Sequence, residues 1–253
     1  MRKITHLIDA KSVESTSGNL GPVFNPATGE QTGEVDLSSI EEVDLAVESS
    51  KNAFQEWGNV SIARRVKLLH NFRNLVVENE IEIASRLTEE HGKVADDARG
   101  EVARGIENIE FACGFADSLK GTYSEHASTG VDVYTVRQPL GVCAGITPFN
   151  FPVMVPLWMI PNAVACGNTF VLKPSERDPS APRFLIELIQ EAGFPSGVVN
   201  LVNGDKTAVD RLLEHPDVSA VSFVGSTPIA KYVYSTGTSK GKRVQALGGA
   251  KNH

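Results

Sequence analysis

The second half of the chain alternates short β-rich runs with longer segments of helical spacing. The β-rich runs begin at residues 140, 168, 198, 218 and 242 and read LGVCAGI, NTFVLK, VVNLV, VSAVSFVG and KRVQAL. Helical spacing fills the intervals at 153–166, 181–192, 205–214 and 228–236. Strands that alternate with helices of about ten residues are typical of an open, mostly parallel sheet. The pattern therefore predicts an α/β fold with helices that flank the sheet.

Two segments earlier in the chain are predicted to form strands outside that sheet. In residues 18–36, Asn25-Pro26 and Thr28-Gly29 separate apolar positions in the way that a hairpin turn does. Residues 131–137, VDVYTVR, alternate apolar and polar side chains, which predicts a strand with one exposed face.

Helices are expected between these two segments. Ser61 is a plausible N-cap, and Gly92 interrupts the helical pattern. Apolar residues recur at helical spacing over 43–54, 66–76, 80–90 and 98–119.

Composition excludes several classes of protein. The chain has 253 residues, 41% of them apolar, which suits a globular protein with one large or two small domains. A net charge of -7 argues against a nucleic-acid partner, and the basic run 240–243 is interpreted as solvated surface. Proline and polar residues break the best candidate membrane span, 151–172, and the amino terminus lacks a signal-peptide core. We expect no membrane association and a cytoplasmic location.

The three cysteines give no sign of a disulfide framework or a metal site. Cys113, Cys143 and Cys166 show neither C-x-x-C spacing nor a zinc pattern. They are interpreted as small buried hydrophobic residues, and no metal is expected.

A possible phosphate site follows the fourth β-rich run. The sequence lacks G-x-G-x-x-G, but in 222–228 a strand turns through Gly225 and Pro228 opens a helix. The N–H groups and dipole of a helix N-terminus suit a phosphate. A tight turn without a ligand fits this short segment equally well.

Lys173 and Glu176 form a second candidate, just past the predicted strand 168–173. Lysine can donate to ribose hydroxyls, and a carboxylate accepts from both of them and repels a 2′-phosphate, which favours NAD over NADP. Arg177 weakens that preference, and a solvated charged turn is the alternative interpretation.

Four ordered motifs resemble the aldehyde dehydrogenase superfamily. They are TPFNFP at 147–152, GNTFVLKPSER at 167–177, SFVGS at 222–226 and the terminal KRVQALGGAKNH, and the similarity runs from about Asn25 to His253. The resemblance implies a Rossmann-like NAD-binding domain formed by 1–120 and 140–253, with 121–139 as a β-strand extension in an oligomerisation domain. It also implies a homo-oligomer, dimer or tetramer, and a separate catalytic domain that this chain lacks.

The same resemblance implies roles for individual residues. It assigns Asn150 as the catalytic oxyanion donor and Arg104 as the residue that holds a substrate carboxylate, although a surface arginine on a helix is an equal alternative for Arg104. The cofactor-binding residues that it implies are Thr147 and Phe149 beside the nicotinamide and pyrophosphate, Lys173, Glu176 and Arg177 around the adenosine ribose, and Gly225 and Ser226 at the phosphates.

The sequence departs from the superfamily pattern in two places. The nucleophilic cysteine of the superfamily follows the Leu-Gly-Gly segment by a few tens of residues, beyond His253, so we expect an amino-terminal half that is inactive alone. Hydrolytic members have Glu immediately before Leu-Gly-Gly, where this chain has Ala246. Without that base, coenzyme A is the expected acyl acceptor.

The reaction that the resemblance implies is the NAD-dependent oxidation of malonate or methylmalonate semialdehyde to acetyl-CoA or propionyl-CoA with release of carbon dioxide. A non-catalytic NAD-binding module, a structural partner that assembles through 131–137, and a hydrolytic aldehyde dehydrogenase remain alternatives.

Overall fold

A computed structural model describes residues 1–249. Its amino-terminal half contains the strands β1 (Arg2–Ile4), β2 (His6–Ile8), β3 (Lys11–Val13), β4 (Leu20–Asn25) and β5 (Glu30–Asp36), followed by the helices α1 (Ile40–Trp57), α2 (Ile62–Glu78), α3 (Glu80–His91), α4 (Ala95–Cys113) and α5 (Phe115–Ser118). The hairpin strands β6 (Tyr123–Ser128) and β7 (Val131–Tyr134) come next.

The carboxyl-terminal half alternates strands and helices as the sequence predicts. Its elements are β8 (Val142–Ile146), α6 (Met154–Ala165), β9 (Thr169–Lys173), α7 (Ser180–Glu191), β10 (Val199–Leu201), α8 (Lys206–Glu214), β11 (Val218–Gly225), α9 (Thr227–Ser239) and β12 (Arg243–Gly248). The predicted fold class, an α/β protein with a mostly parallel sheet, is confirmed.

The central sheet has the strand order β12-β11-β8-β9-β10-β2-β3. The predicted strands β8 to β12 all run parallel to one another. The antiparallel strands β2 and β3 extend the sheet beyond β10. Neither strand was predicted, because strands of three residues are too short to show a period of two.

Both faces of the central sheet are buried. On β9, Phe170 and Leu172 pack in the same apolar cluster as Leu157 of α6, whereas Val171 packs in a second cluster with Val47 of α1. This burial explains why the parallel strands read as continuous apolar runs. No helix within residues 1–249 has both the length and the hydrophobicity that a membrane span requires.

Capping residues define the ends of the helices before the sheet. The Ser61 hydroxyl accepts a hydrogen bond from Arg64 N over 3.4 Å, so the predicted N-cap of α2 is confirmed. Gly92 ends α3 in the left-handed region at φ 85°. A Cβ at Gly92 would lie 2.7 Å from Cγ of Pro26, which leaves no space for a larger residue. The glycine thus directs the chain sharply into α4.

The predicted hairpin 18–36 is confirmed as β4 and β5, which pair antiparallel. The strand predicted at 131–137 is present as β7, which pairs with β6 outside the central sheet, but it ends at Tyr134. Every residue of β7 is exposed, so the expectation of only one exposed face is wrong for this chain. The reason is that the two-stranded hairpin has no other layer packed against it within residues 1–249. Its role in oligomerisation stays a prediction, as do the domain boundaries.

Candidate functional site

Three loops meet at the carboxyl edge of the central sheet. Ile146 of β8 is in register with Lys173 of β9 and with Phe223 of β11. Thr147 N donates to the Lys173 carbonyl oxygen over 3.1 Å, just beyond the paired strands. The loops that follow β8, β9 and β11 are therefore adjacent, at the edge where open parallel sheets bind ligands.

Phe149 separates two cavities at this edge. It lines a cavity of about 490 Å³ together with Asn150 and Ser226, and a cavity of about 320 Å³ together with Glu176 and Arg177. The Arg177 guanidinium group lies 4.6 Å from the centroid of the Phe149 ring. The His91 ring stacks on the same ring with centroids 4.5 Å apart. These contacts fix Phe149 as a shared wall between the two cavities.

The smaller cavity has a carboxylate on its wall. Glu176 accepts a hydrogen bond from Lys173 Nζ over 3.1 Å. The Lys173 side chain is 7% exposed and the Glu176 side chain 43% exposed, so the carboxylate faces the cavity while the ammonium group lies behind it. The structure brings these two predicted residues together; their contact with a ribose stays a prediction.

The larger cavity has a helix N-terminus on its wall. Ser226 is the N-cap of α9, and its side chain makes no capping hydrogen bond. Gly225 precedes it, and a Cβ at that position would overlap the Phe223 ring. Both residues line the cavity beside Asn150. The backbone N–H groups of the first turn of α9 suit an anionic group there.

Asn150 is exposed and its backbone is held by a buried ion pair. The Asn150 carbonyl oxygen accepts a hydrogen bond from Lys93 Nζ over 2.7 Å. The same ammonium group forms an ion pair with Glu101 of α4, whose carboxylate is 1% exposed. Glu101 Oε1 also accepts from Val153 N and Met154 N over 2.8 and 3.0 Å. The turn that carries Asn150 is thus fixed at both ends by one carboxylate-ammonium pair.

Lys93, Glu101 and His91 are site residues that the sequence did not predict. Lys93 and Glu101 are eight residues apart, across a helix start, so no helical spacing rule pairs them. His91 reaches the site because α3 ends at the edge of the cavity. The glycine at 92 was a detectable signal, since it marks a change of direction directly before Lys93.

Two further predicted residues, like Lys173, line neither cavity. Thr147 is 5% exposed, and its hydroxyl has no hydrogen-bond partner within residues 1–249. Arg104 is exposed on α4. Neither residue lines the cavities next to Phe149. Their roles stay predictions.

A buried carboxyl group lies beside the site. Asp178 is 1% exposed, and burial raises its pKa to about 8. The nearby Glu90 and Glu101 carboxylates act in the same direction. Glu90 accepts a hydrogen bond from Ser180 N over 2.9 Å, and burial raises its pKa as well. Asp178 is therefore protonated near neutral pH.

The three cysteines are free thiols. Cys143 is buried, and burial raises its pKa to about 12, while burial also raises the pKa of Cys113 and Cys166. A nucleophilic cysteine needs a lowered pKa. None of these thiols lines the cavities next to Phe149, which agrees with their interpretation as structural residues.

The sequence profile of the aldehyde dehydrogenase family matches residues 12–253. The chain belongs to the aldehyde dehydrogenase family. The turn with Asn150, the Lys173–Glu176 pair and the Ser226 helix start are thus three neighbouring loops of an aldehyde dehydrogenase.

Individual members of the family are similar to this chain over its whole length. The chain is 53% identical to the malonate-semialdehyde dehydrogenase of Pseudomonas aeruginosa, over 100% of this chain and 51% of the relative. A methylmalonate-semialdehyde dehydrogenase structure from Oceanimonas doudoroffii is 53% identical and has a TM-score of 0.97. A Sinorhizobium meliloti structure assigned to the same activity and complexed with NAD has the same identity and TM-score. Each structure match covers 100% of this chain and 52% of the other.

The chain therefore spans about half the length of the curated relatives it matches. The shared half contains the central sheet and its carboxyl-edge loops. Residues 250–253, the end of the fourth sequence motif, lie outside the described residues.

Proposed function

We propose that this chain is the cofactor-binding half of an NAD-dependent, CoA-acylating aldehyde dehydrogenase. Its substrate is malonate or methylmalonate semialdehyde, and its products are acetyl-CoA or propionyl-CoA and carbon dioxide. The observation that carries this proposal is the pair of cavities on either side of Phe149. The smaller cavity has the Glu176 carboxylate, which suits a ribose. The larger cavity has the helix N-terminus at Ser226, which suits a phosphate, and the Asn150 amide beside it.

Each cavity suits a different part of NAD. In the smaller one, Glu176 accepts hydrogen bonds from the ribose hydroxyls, and Arg177 lies across the Phe149 ring. In the larger one, the first turn of α9 at Ser226 donates to the pyrophosphate. Thr147 and Phe149 lie beside the nicotinamide and the pyrophosphate. NAD, when bound, supplies the hydride acceptor for the oxidation.

Asn150 supplies one of the two oxyanion donors. Its side-chain amide donates to the oxygen that becomes negative when a cysteine thiolate of the following half adds to the aldehyde carbon. Lys93 and Glu101 keep the backbone of this turn in place while the charge develops. Arg104 holds the substrate carboxylate with its guanidinium fork.

Ala246 determines the acyl acceptor in this proposal. It lies on β12 in register with Phe223 of β11, and the chain has no carboxylate from 242 to 253. Because no base at this position activates water, the thioester persists until the thiolate of coenzyme A displaces the enzyme cysteine.

A non-catalytic NAD-binding module is the second candidate. The observation that favours it is that none of the cysteines within residues 1–249 lines the cavities next to Phe149, so this chain alone brings no thiol to the proposed cofactor site. A chain of this type would bind the cofactor without oxidising a substrate.

The deciding experiment uses a polypeptide in which this chain is followed by the cysteine-bearing half. With malonate semialdehyde and NAD, we expect steady NADH formation only when coenzyme A is present, and one burst of NADH without it. Ala246→Glu should raise the rate without coenzyme A. Rapid release of free acid by the unaltered protein without coenzyme A would assign a hydrolytic enzyme instead. Absence of NADH under all conditions, with NAD still bound, would favour the binding module.

A further inference from the structure

A third cavity, of about 590 Å³, lies at the opposite edge of the central sheet. Its wall is formed by the start of α2, by residues 137–140 before β8, and by residues 166–168 before β9. The cofactor loops follow the carboxyl ends of the same strands. This cavity is therefore separate from the proposed NAD site.

The wall of this cavity is basic. Its charged residues are Arg65, Lys120, Arg137 and Arg243, and no Asp or Glu of the described residues lines it. This contrasts with the net charge of -7 on the chain. Lys120 is paired with Asp117, but the wall still keeps three guanidinium groups. Like charges of this density around one cavity attract a small anion.

Arg65 is the most informative of these residues. It is 8% exposed, and its Nε atom has no hydrogen-bond partner within residues 1–249. The part of the chain that the structure describes offers its guanidinium group no carboxylate partner either. Burial lowers the pKa of Arg65 from its ordinary value, as expected for a charge removed from water. Buried charges are normally paired, so an arginine in this state lacks a counter-ion.

The lack of a side chain at residue 167 leaves space for this guanidinium group. Gly167 has φ 88°, and a Cβ at that position would overlap Nη1 of Arg65. Arg65 and Arg137 both act on the Cys166 thiol, whose pKa burial raises and the two arginines partly lower. The two guanidinium groups therefore lie near the same thiol, and all three side chains line the cavity. Arg137 is held there by a hydrogen bond from its Nε to the Lys120 carbonyl oxygen over 3.4 Å.

We propose that this cavity binds a small oxyanion, a phosphate or carboxylate group, between Arg65 and Arg137. Guanidinium groups bind both kinds of oxyanion through two parallel hydrogen bonds, and the buried position of Arg65 strengthens such bonds. The anion neutralises the unpaired charge of Arg65.

The test measures thermal unfolding and calorimetric binding of the 253-residue chain with sodium phosphate, sodium malonate or sodium chloride at matched ionic strength. We expect saturable stabilisation by phosphate, malonate or both, and none by chloride. Saturation by phosphate alone identifies a phosphate group as the ligand, and saturation by malonate alone a carboxylate. Equal effects of all three salts would overturn the proposal, since they would show charge screening only.

Variants locate the site. Arg137→Gln, an exposed substitution, should weaken anion binding by about tenfold or more, as expected for a lost charge-assisted hydrogen bond. Arg64→Gln is the matched control, because Arg64 is exposed on the same helix turn as Arg65 but does not line the cavity. Arg65→Lys keeps the positive charge but lacks the planar guanidinium group, so it tests whether two parallel hydrogen bonds are needed. Arg65→Gln should abolish anion binding if the variant folds. Unchanged affinity in Arg137→Gln and Arg65→Lys would overturn the proposal even if Arg65→Gln does not fold.

Discussion

The ammonium group of Lys93 donates a hydrogen bond to the carbonyl oxygen of Asn150 over 2.7 Å, although 57 residues separate them. Glu101 completes this contact, since its carboxylate pairs with Lys93 and accepts from two N–H groups at the start of α6. The position of Asn150 therefore depends on α4 and on the loop before it. A substitution of Glu101 should therefore alter the position of the proposed oxyanion donor, although Glu101 does not line the cavity.

Glu101→Ala should lower the free energy of unfolding by about 3–5 kcal/mol, because it leaves a largely buried ammonium group unpaired. It also leaves the N–H groups of Val153 and Met154 without their acceptor. Urea denaturation of the 253-residue chain measures the change.

Glu107→Ala is the control for this substitution, since Glu107 is exposed on the same helix. We expect it to change the free energy of unfolding by less than about 0.5 kcal/mol. If both variants were equally stable, the Lys93–Glu101 pair would contribute nothing beyond a surface ion pair.

The strands β8 to β12 could be predicted because each is an apolar run between helices of regular spacing. The turns at Glu176 and Gly225 followed from that order, whereas the roles of Asn150 and Ser226 followed only from the family resemblance. Lys93 could not be predicted in the same way. Its contact with Asn150 depends on how α3 and α4 pack beside the sheet, and no local spacing encodes that arrangement.

The sequence also did not predict that Asp178 is protonated or that Arg65 is unpaired. Asp178 lies in a segment that reads as a charged turn, Glu176 to Asp178, yet it is 1% exposed. Arg65 occupies a helix whose polar positions alternate with apolar ones in the ordinary way, yet it is 8% exposed. Burial, which tertiary packing decides, gives both residues their unusual chemistry.

Asp178→Asn should make the protein more stable relative to wild type as the pH rises from about 5 to about 8. Burial raises the pKa of Asp178 in the folded state to about 8, whereas an unfolded aspartate has a pKa near about 3.9. Between these values the folded state holds a proton that the unfolded state releases, so rising pH destabilises the wild-type protein. The free energy of unfolding of the variant, relative to that of wild type, should rise by up to about 1.4 kcal/mol per pH unit.

Urea denaturation at several pH values measures this difference. Asp97→Asn, an exposed substitution on α4, is the control, and its difference from wild type should stay constant over the same range. Parallel stability curves for Asp178→Asn and wild type would show that Asp178 is ionised in the folded protein.

Glu176→Gln should narrow the preference for NAD over NADP. The introduced amide keeps a hydrogen-bond acceptor for the ribose but lacks the charge that repels a 2′-phosphate. Because the Glu176 side chain is 43% exposed, we expect a loss of NAD affinity of about tenfold and no more. Calorimetric titration with both cofactors measures the change. Glu191→Gln is the control, since Glu191 is exposed at the end of α7 and lies on neither cavity. Equal affinities of the wild-type chain for both cofactors would refute the assignment.

Asn150→Ala should lower kcat by about 100- to 1000-fold in a polypeptide that also carries the cysteine-bearing half, because it removes one oxyanion donor. NAD affinity should change little, since the Lys93 hydrogen bond goes to the backbone of residue 150 and the turn keeps its position. Pre-steady-state NADH formation measures the chemical step, and NAD titration measures binding. Asn150→Asp tests the effect of a negative charge at this position. Because a carboxylate cannot donate to an oxyanion, this substitution should lower kcat at least as much as Asn150→Ala does. A loss confined to NAD affinity, with kcat unchanged at saturating cofactor, would make Asn150 a cofactor-positioning residue and leave the oxyanion without its side-chain donor.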